Sequence, residues 1–365
     1  MMEFIPGLKL SRLFYQEAVR PILEKHFPGL VYSAALIGHG SEVLGYDTPR
    51  SMDHHWGPQL QLFLTENDYP KYRLDIKNAL GNELPHKFMG YSTSFGDPQN
   101  TGVQLLVEQE DGPVNHRVVI VTPKTFFRHF LNFDPYSEIS VTDWLTFPQQ
   151  ELLSITQGKV FWDGLGELNT LRKKFSYYPQ DVWLFLIACQ WKKISQQEAF
   201  IGRCGELGDE LGSRTIAADL VKELMQLCFL FEKTYFPYSK WFGTAFSRLK
   251  CAGKLAPVFT TILNSSNNKE RESHLAQTYV IVGKLHNSLG ITKPVESKIT
   301  SYFGRPYKVI HAERFSDAAI DAIQDKKLKS IKPLIGSIDQ FIDNTDFLSS
   351  PKLFRETKQL FNIKG

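Results

Sequence analysis

Gly40-Ser41-Glu42-Val43-Leu44-Gly45-Tyr46-Asp47-Thr48-Pro49-Arg50-Ser51-Met52-Asp53-His54-His55-Trp56-Gly57-Pro58 is the stretch whose reading decides the fold of this chain. It lies between two apolar segments. Val31 to Gly38 reads as a buried strand closing on the tight turn Gly38-His39-Gly40. Trp56 to Thr65, with Leu60, Leu62 and Leu64 alternating, reads as a second strand. A strand, a Gly-Ser turn and an acidic cluster opening the next strand suit phosphate-transfer chemistry. Backbone N–H groups and a hydroxyl at the turn would cradle phosphate oxygens. Carboxylates on the neighbouring strand would hold Mg²⁺, which neutralises charge as the phosphate bond breaks. Alternate side chains of a strand share a face, so Asp53 and His55 are expected to project together and His54 to point away.

Working outward, Leu8, Leu10, Leu13, Phe14, Ala18, Ile22 and Leu23 recur at helical spacing, with Pro21 as a kink or fresh start and Pro28-Gly29 as the end. Val103 to Val107 and His116 to Val121 are strand candidates on either side of the turn-prone Asp111-Gly112-Pro113. A helix is expected from Pro123, with Phe126, Phe127, Phe130 and Leu131 on its apolar side. From Val141 onward strand signals become scarce. Helical periodicity runs through Leu145 to Leu153, Asp181 to Ile201, Ile216 to Phe231 and Leu275 to Leu289. The expected class is α+β: a small mixed-sheet domain over residues 1–140, then a mainly helical domain over 141–365.

The chain has 365 residues, long enough for two cores. Its formal net charge of +3 is too small to imply a nucleic-acid partner, and no clear basic patch is visible. The run Lys326-Lys327-Leu328-Lys329 reads as a solvated helix end. Cys189, Cys204, Cys228 and Cys251 are scattered, which points to reduced thiols and away from a zinc ribbon or disulfide framework. The start lacks the pattern of a secretory signal, and apolar runs such as Val182 to Cys189 fall short of a membrane span. A soluble cytoplasmic protein is expected, with no membrane partner.

The Gly40 to His55 stretch resembles the signature of the nucleotidyltransferase superfamily, which is Gly-Ser, a spacer of about this length, and then Asp-x-Asp. The resemblance implies that Gly40 and Ser41 form the phosphate turn and that Asp53 is the first metal-binding carboxylate. His55 stands where the second acid belongs, and imidazole is a softer ligand that suits zinc or manganese better than magnesium. The third carboxylate would sit on a later strand, here His116 to Val121, which contains no acid; Glu108 and Glu110 are the substitutes. Tyr178-Pro179-Gln180-Asp181-Val182-Trp183, Gln190-Trp191, Gly202 to Glu206, Gly208 to Arg214, Tyr238 to Phe246 and Leu334 to Phe341 resemble a bacterial and fungal family of unknown function. That likeness spans nearly the whole chain. It implies a nucleotidyltransferase-like front and a helical back.

Arg203, Glu206, Glu210 and Arg214 fall at helical offsets of three and four, among Gly202, Gly205, Gly208 and Gly212. One reading is a polar wall facing the Asp53 pocket, in which Arg203 and Arg214 bind phosphate or carboxylate and Glu206, Asp209 or Glu210 acts as base or metal ligand. The other is a surface ladder of ion pairs. Lys240 and Trp241 would add a cation and a stacking surface. The expected site is therefore Asp53, Glu206 and Glu210 as catalytic groups, and Gly40, Ser41, Arg203, Arg214 and Lys240 as the nucleotide cradle. Asp53 and His55 would hold Mg²⁺ or Mn²⁺. The expected reaction moves a nucleotidyl group from a nucleoside triphosphate to the hydroxyl of an unidentified small molecule or macromolecule. Two alternatives stand: a catalytically inactive nucleotide- or ligand-binding protein of the same fold, and a hydrolase using a transition metal at Asp53 and His55. Loops of the Gly-x-x-x-x-Gly-Lys-Ser/Thr, Gly-x-Gly-x-x-Gly and Gly-x-Ser-x-Gly types are absent.

Overall fold

The apolar run Tyr32–Leu36 forms a strand buried along its whole length, as expected of a central strand flanked on both sides. It pairs antiparallel with Gln59–Leu64, in the register Ser33 to Phe63 and Ala34 to Leu62, and antiparallel on its other edge with Lys159–Asp163. Arg117–Val121 completes the sheet, parallel to Gln59–Leu64, with Gln59 opposite Arg117. The computed structural model describes residues 3–98 and 102–361, and its fold is α+β with a mixed sheet.

Period-two alternation decides what lies on each side of this sheet. Leu60, Leu62 and Leu64 enter a core with Leu10, Phe14, Tyr15 and Val19 of the N-terminal helical segment and Ile76 and Leu80 of the helix Tyr69–Glu83. Phe63 points the other way and meets Phe126 edge-on at 5.3 Å, so the helix Pro123–Leu131 covers the opposite face. The N-terminal segment is helical from Gly7 to His26, with a π turn at Tyr15–Val19 and Pro21 in the first turn of the last piece.

Contacts divide the chain into two units. The first comprises residues up to Glu138 together with Glu151–Ser176, and the second comprises Ile139–Gln150 with the residues from Tyr177 on. This differs from a single cut after residue 140. Lys159–Asp163, exposed at Lys159 and Trp162 and with an apolar run of only three residues, pairs with the central strand and returns Glu151–Ser176 to the first unit.

In the second unit the helix Gln180–Gln197 is buried almost all round from Val182 to Trp191 and packs against Glu210–Phe231 and Glu313–Ala322. Trp191 stacks on Phe315 with ring centroids 4.5 Å apart and donates its indole N–H to His286 Nδ1 at 3.1 Å. The unit also contains a hairpin, Thr300–Tyr302 with Arg305–Val309, that helical periodicity gave no sign of. Val103 to Val107 forms no strand; Leu106 makes an isolated bridge to Phe95. The segment expected to run as one helix to Ile201 is two helices, Gln180–Gln197 and Phe200–Leu207.

Gly158 carries the chain into the Lys159–Asp163 strand at φ +73°, and a Cβ there would lie 2.1 Å from the Leu36 carbonyl oxygen. Gly166 has nearly the same φ, +71°, but open space around it. Gly166→Ala should therefore cost about 1 kcal/mol, the strain of a left-handed alanine alone. Gly158→Ala should cost clearly more, at least about 2 kcal/mol, because backbone must also move. Urea unfolding of the two variants measures the difference, and equal losses would contradict the close approach at Leu36.

Candidate functional site

Strand direction assembles the site. The central strand ends at the glycine turn, whereas Gln59–Leu64 and Arg117–Val121 run oppositely and begin at that same end of the sheet. The turn Gly38-His39-Gly40, the loop before Gln59 and the side chain of Arg117 are thereby gathered at one edge. Gly40 adopts φ +141°, and a Cβ there would lie 2.5 Å from Glu42 Oε1, so only glycine lets the turn fold over this carboxyl. Ser41 opens the four-residue helix Ser41–Leu44.

Glu42 is 4% exposed and accepts a hydrogen bond from Gln59 Nε2 at 2.9 Å. Burial is the chief reason its carboxyl is pushed up to about 7; the Asp47 charge adds to this, while its own backbone N–H and Arg117 act against it. Arg117 is partly buried, which draws its pKa below the usual guanidinium value, although the Glu42 charge opposes that shift. Its guanidinium lies 5.6 Å from the centre of the Phe95 ring. Arg117 Nη1 and His55 Nδ1 are both buried with no hydrogen-bond partner among the described residues.

His39, in the turn itself, places Nε2 at 3.0 and 3.1 Å from the two carboxylate oxygens of Glu151, which is 3% exposed. Burial pulls the imidazole pKa down, but the hydrogen bond and charge of Glu151 outweigh it and leave the value raised. Asp47 Oδ2 accepts from Gly7 N–H at 2.7 Å and from Trp56 Nε1 at 3.2 Å, tying the first helix to the loop.

The expectation for Asp53 and His55 fails on local structure. Pro49–Asp53 is a 3-10 turn with a capping box between Thr48 and Ser51, and the strand starts only at Gln59. Alternation therefore does not apply. Asp53 is 62% exposed and paired with its neighbour, His54 Nδ1, at 2.9 Å. His55 sits at φ +53°, donates its N–H to the Gln104 carbonyl at 2.9 Å, and accepts from Gln59 Nε2 on its own carbonyl at 2.8 Å. Its imidazole pKa is lowered by burial first, then by the Arg117 and His54 charges. Among the described residues no group of three or more His, Cys, Asp and Glu side chains gathers to hold a metal. A carboxylate tied to His54 and an imidazole beside a guanidinium do not fit a resident divalent cation.

Arg203, Glu206, Glu210, Arg214 and Lys240 belong to the second unit. The four charges do not share one helix, because Gly208 ends Phe200–Leu207 at φ +68° and the Asp209 side chain caps the next helix by accepting from Gly212 N–H. Each glutamate is committed to a partner. Glu206 accepts from Tyr307 Oη and from Arg203 at 2.6 Å, which lowers its pKa. Glu210 accepts from the fully buried Arg271 at 2.5 Å and from Arg214 at 3.1 Å, and its pKa is lowered chiefly by Arg271. Arg271 also donates to Ser213 Oγ and to the Ser265 carbonyl. These are the pairings of a structural ladder. The Lys240 ammonium lies 5.2 Å from the Trp241 ring centre.

Residues 144–242 match a family described as a domain of unknown function (DUF4037). The match covers Tyr178–Trp183, Gln190-Trp191 and Gly202 to Arg214; it ends within Tyr238 to Phe246 and does not reach Leu334 to Phe341. No curated protein matches the chain. Among solved structures, a nucleotidyltransferase-like protein from Exiguobacterium sibiricum 255-15, determined at 1.90 Å resolution, aligns over 84% of this chain and 89% of that one. Sequence identity is 10% and the TM-score 0.30.

Sequence reasoning missed Glu42, Arg117, Gln59 and the His39 to Glu151 pair. Glu42 directly follows Ser41, and the signal was a charged residue one step into a turn that must be buried. Its titration is measurable. The folded pKa, about 7, lies above the usual 4.5, so between those values the folded chain keeps a proton that the unfolded chain has lost. Stability from this group thus falls as pH rises from 4.5 to 7, by up to about 3 kcal/mol, and then levels off. Glu42→Gln keeps an acceptor for Gln59 and removes the titration. The variant should be more stable than the parent in urea at pH 8 and nearly equal to it at pH 5; lower stability at pH 8 would show that Arg117 holds Glu42 ionised.

Proposed function

We propose that the first unit binds a phosphorylated ligand, a nucleotide foremost, at the Gly38 to Ser41 turn, and that this is a binding site without nucleotidyl transfer. The observation that carries the proposal is Arg117. It heads the strand beside Gln59–Leu64, where the resemblance calls for a third carboxylate, and its buried Nη1 has no partner. A guanidinium there supplies what a metal would otherwise supply, positive charge against phosphate oxygens with directed N–H donors. It also repels a divalent cation from the same place. Below about pH 7 Glu42 is mostly protonated, which relieves its opposition to the Arg117 charge, and Glu151 is paired with His39.

Nucleotidyl transfer to an acceptor hydroxyl is the second reading, and Glu42 favours it. A carboxyl titrating near 7 beside Ser41 has the proton affinity of a general base. Asp53 would then hold Mg²⁺ or Mn²⁺ together with the oxygens of a nucleoside triphosphate, while Glu206 and Glu210, ionised and salt-bridged, are poor bases by comparison.

Equilibrium binding of labelled nucleoside triphosphates to the full chain in EDTA separates the readings. Arg117→Met should weaken binding about tenfold or more, since hydrogen bonds to charged groups contribute roughly 1.5 to 3 kcal/mol. Asp53→Asn should leave it unchanged. Binding that needs Mg²⁺ and disappears in Asp53→Asn, with label moving onto an acceptor, would establish transfer in its place.

A further inference from the structure

The second unit holds a cavity of about 320 Å³ that the proposed phosphate site does not use. Two helices and the segment from Leu334 to Asp343 line it, and it is open to solvent on one side. Cys189, Lys193 and Gln196 line it from one helix at spacings of four and three, and Lys222 and Gln226 line it from the other at a spacing of four. Two packed helices would ordinarily bury apolar side chains against each other here, yet each contributes a lysine and a glutamine to the same hollow.

The hydrogen-bond inventory defines what is missing. Lys193 Nζ donates to Glu223 Oε1 at 2.9 Å and to the Gln340 carbonyl at 2.8 Å, which fixes the ammonium in place and leaves one of its three donors free. The network behind it is complete: Gln190 Nε2 donates to Glu223 Oε2 at 2.6 Å, and Gln340 Nε2 donates to Gln190 Oε1 at 2.8 Å. Lys222 Nζ has one distant partner, Asp343 at 3.4 Å, so two donors remain. Gln226 is 5% exposed; its Oε1 accepts from Gln190 at 3.4 Å, and its Nε2 donates to no described residue. Of the acids that line the hollow, Asp339 places both carboxylate oxygens on the Gln149 N–H, at 3.2 and 3.0 Å, and the Asp343 side chain is 86% exposed. Leu334, Ile335, Phe341 and Ile342 form the apolar part of the wall.

We infer that this cavity binds a small organic acid, its carboxylate received by Lys193, Lys222 and Gln226 and its hydrocarbon body lying on Leu334, Ile335 and Phe341. Unused lysine and glutamine donors and apolar side chains line the same hollow, and its volume suits a compact metabolite. Neither the turn at Gly40 nor any residue of the first unit takes part.

Calorimetric titration of the full chain with hexanoate, hexylamine and inorganic phosphate tests this. Hexanoate should bind with a stoichiometry near one, hexylamine should not bind, and phosphate, titrated into the Arg117→Met chain to set aside the turn at Gly40, should bind at least tenfold more weakly for want of a body to pack. Lys222→Met and Gln226→Leu should each weaken hexanoate at least tenfold while Arg117→Met leaves it unchanged, which separates this site from the one in the first unit. Phosphate binding to the Arg117→Met chain as tightly as hexanoate would overturn the organic-acid assignment. Absence of hexanoate binding, or binding indifferent to both Lys222→Met and Gln226→Leu, would overturn the site.

Discussion

The pairing of Tyr32–Leu36 with Gln59–Leu64 in opposite directions, and of Arg117–Val121 with Gln59–Leu64 in the same direction, is the constraint on which the first unit depends. It puts one strand end and two strand beginnings together, so the turn and loop of residues 38–58 meet an arginine nearly sixty residues further on. A slip of one residue in Gln59–Leu64 would reverse its faces, sending Leu60, Leu62 and Leu64 out of the core and Gln59, Gln61 and Phe63 into it. Burial of the leucines therefore fixes the register, and the register places Arg117 beside Gln59. Hydrophobic packing and the polar site are two consequences of the same alternation.

Polar groups buried at this edge persist because nearly all of them are paired. Asp47 receives two donors, Gln59 bridges the Glu42 carboxyl and the His55 carbonyl, and Glu151 receives His39. A buried donor left unpaired costs about 1 to 3 kcal/mol in an ordinary core. Arg117 Nη1 and His55 Nδ1 lack partners here, and a cost retained at a sheet edge beside a glycine turn is of the kind that ligand oxygens remove. The second unit shows the same economy in a helical setting, where Gln190, Glu223 and Gln340 satisfy one another and the open valences belong to Lys222 and Gln226.

Much of the fold was legible from apolar spacing alone. The N-terminal helix, the two strands around Gly40, the strand beginning near Arg117 and the helix from Pro123 follow from periods of 3.6 and 2. What escaped was decided by tertiary context. Lys159–Asp163 is a short edge strand, and its apolar run Val160-Phe161-Trp162 is only three residues long with Trp162 exposed, too short to announce a strand. Around Asp53 the sequence did contain the answer: Thr48-Pro49 followed by Ser51 is a capped turn, and it outweighs the pull toward reading an acid before an apolar run as part of a strand. For Arg203 to Arg214, Gly208 followed by Asp209 is a helix end and a fresh cap, and the apparent single charged face dissolves at that pair.

Replacing carboxylates by a guanidinium changes what a phosphate site can do, even where the backbone is kept. A metal ion between acids binds phosphate and also polarises it, since its ligands can be exchanged as charge moves during bond breaking. A guanidinium offers fixed donors and one delocalised charge, good for holding an oxyanion in a set orientation and less suited to following charge onto a leaving group. On the binding reading proposed above, the Gly40 turn is of the second kind: Asp53 leans on His54 in solvent, while Arg117 lies partly buried with its charge opposed by an acid titrating near 7. Raising the pH through that range ionises Glu42 and offsets Arg117 from within, so on that reading affinity for an anion would fall together with the stability this group contributes. One buried proton thus links the strength of the fold to the charge it presents.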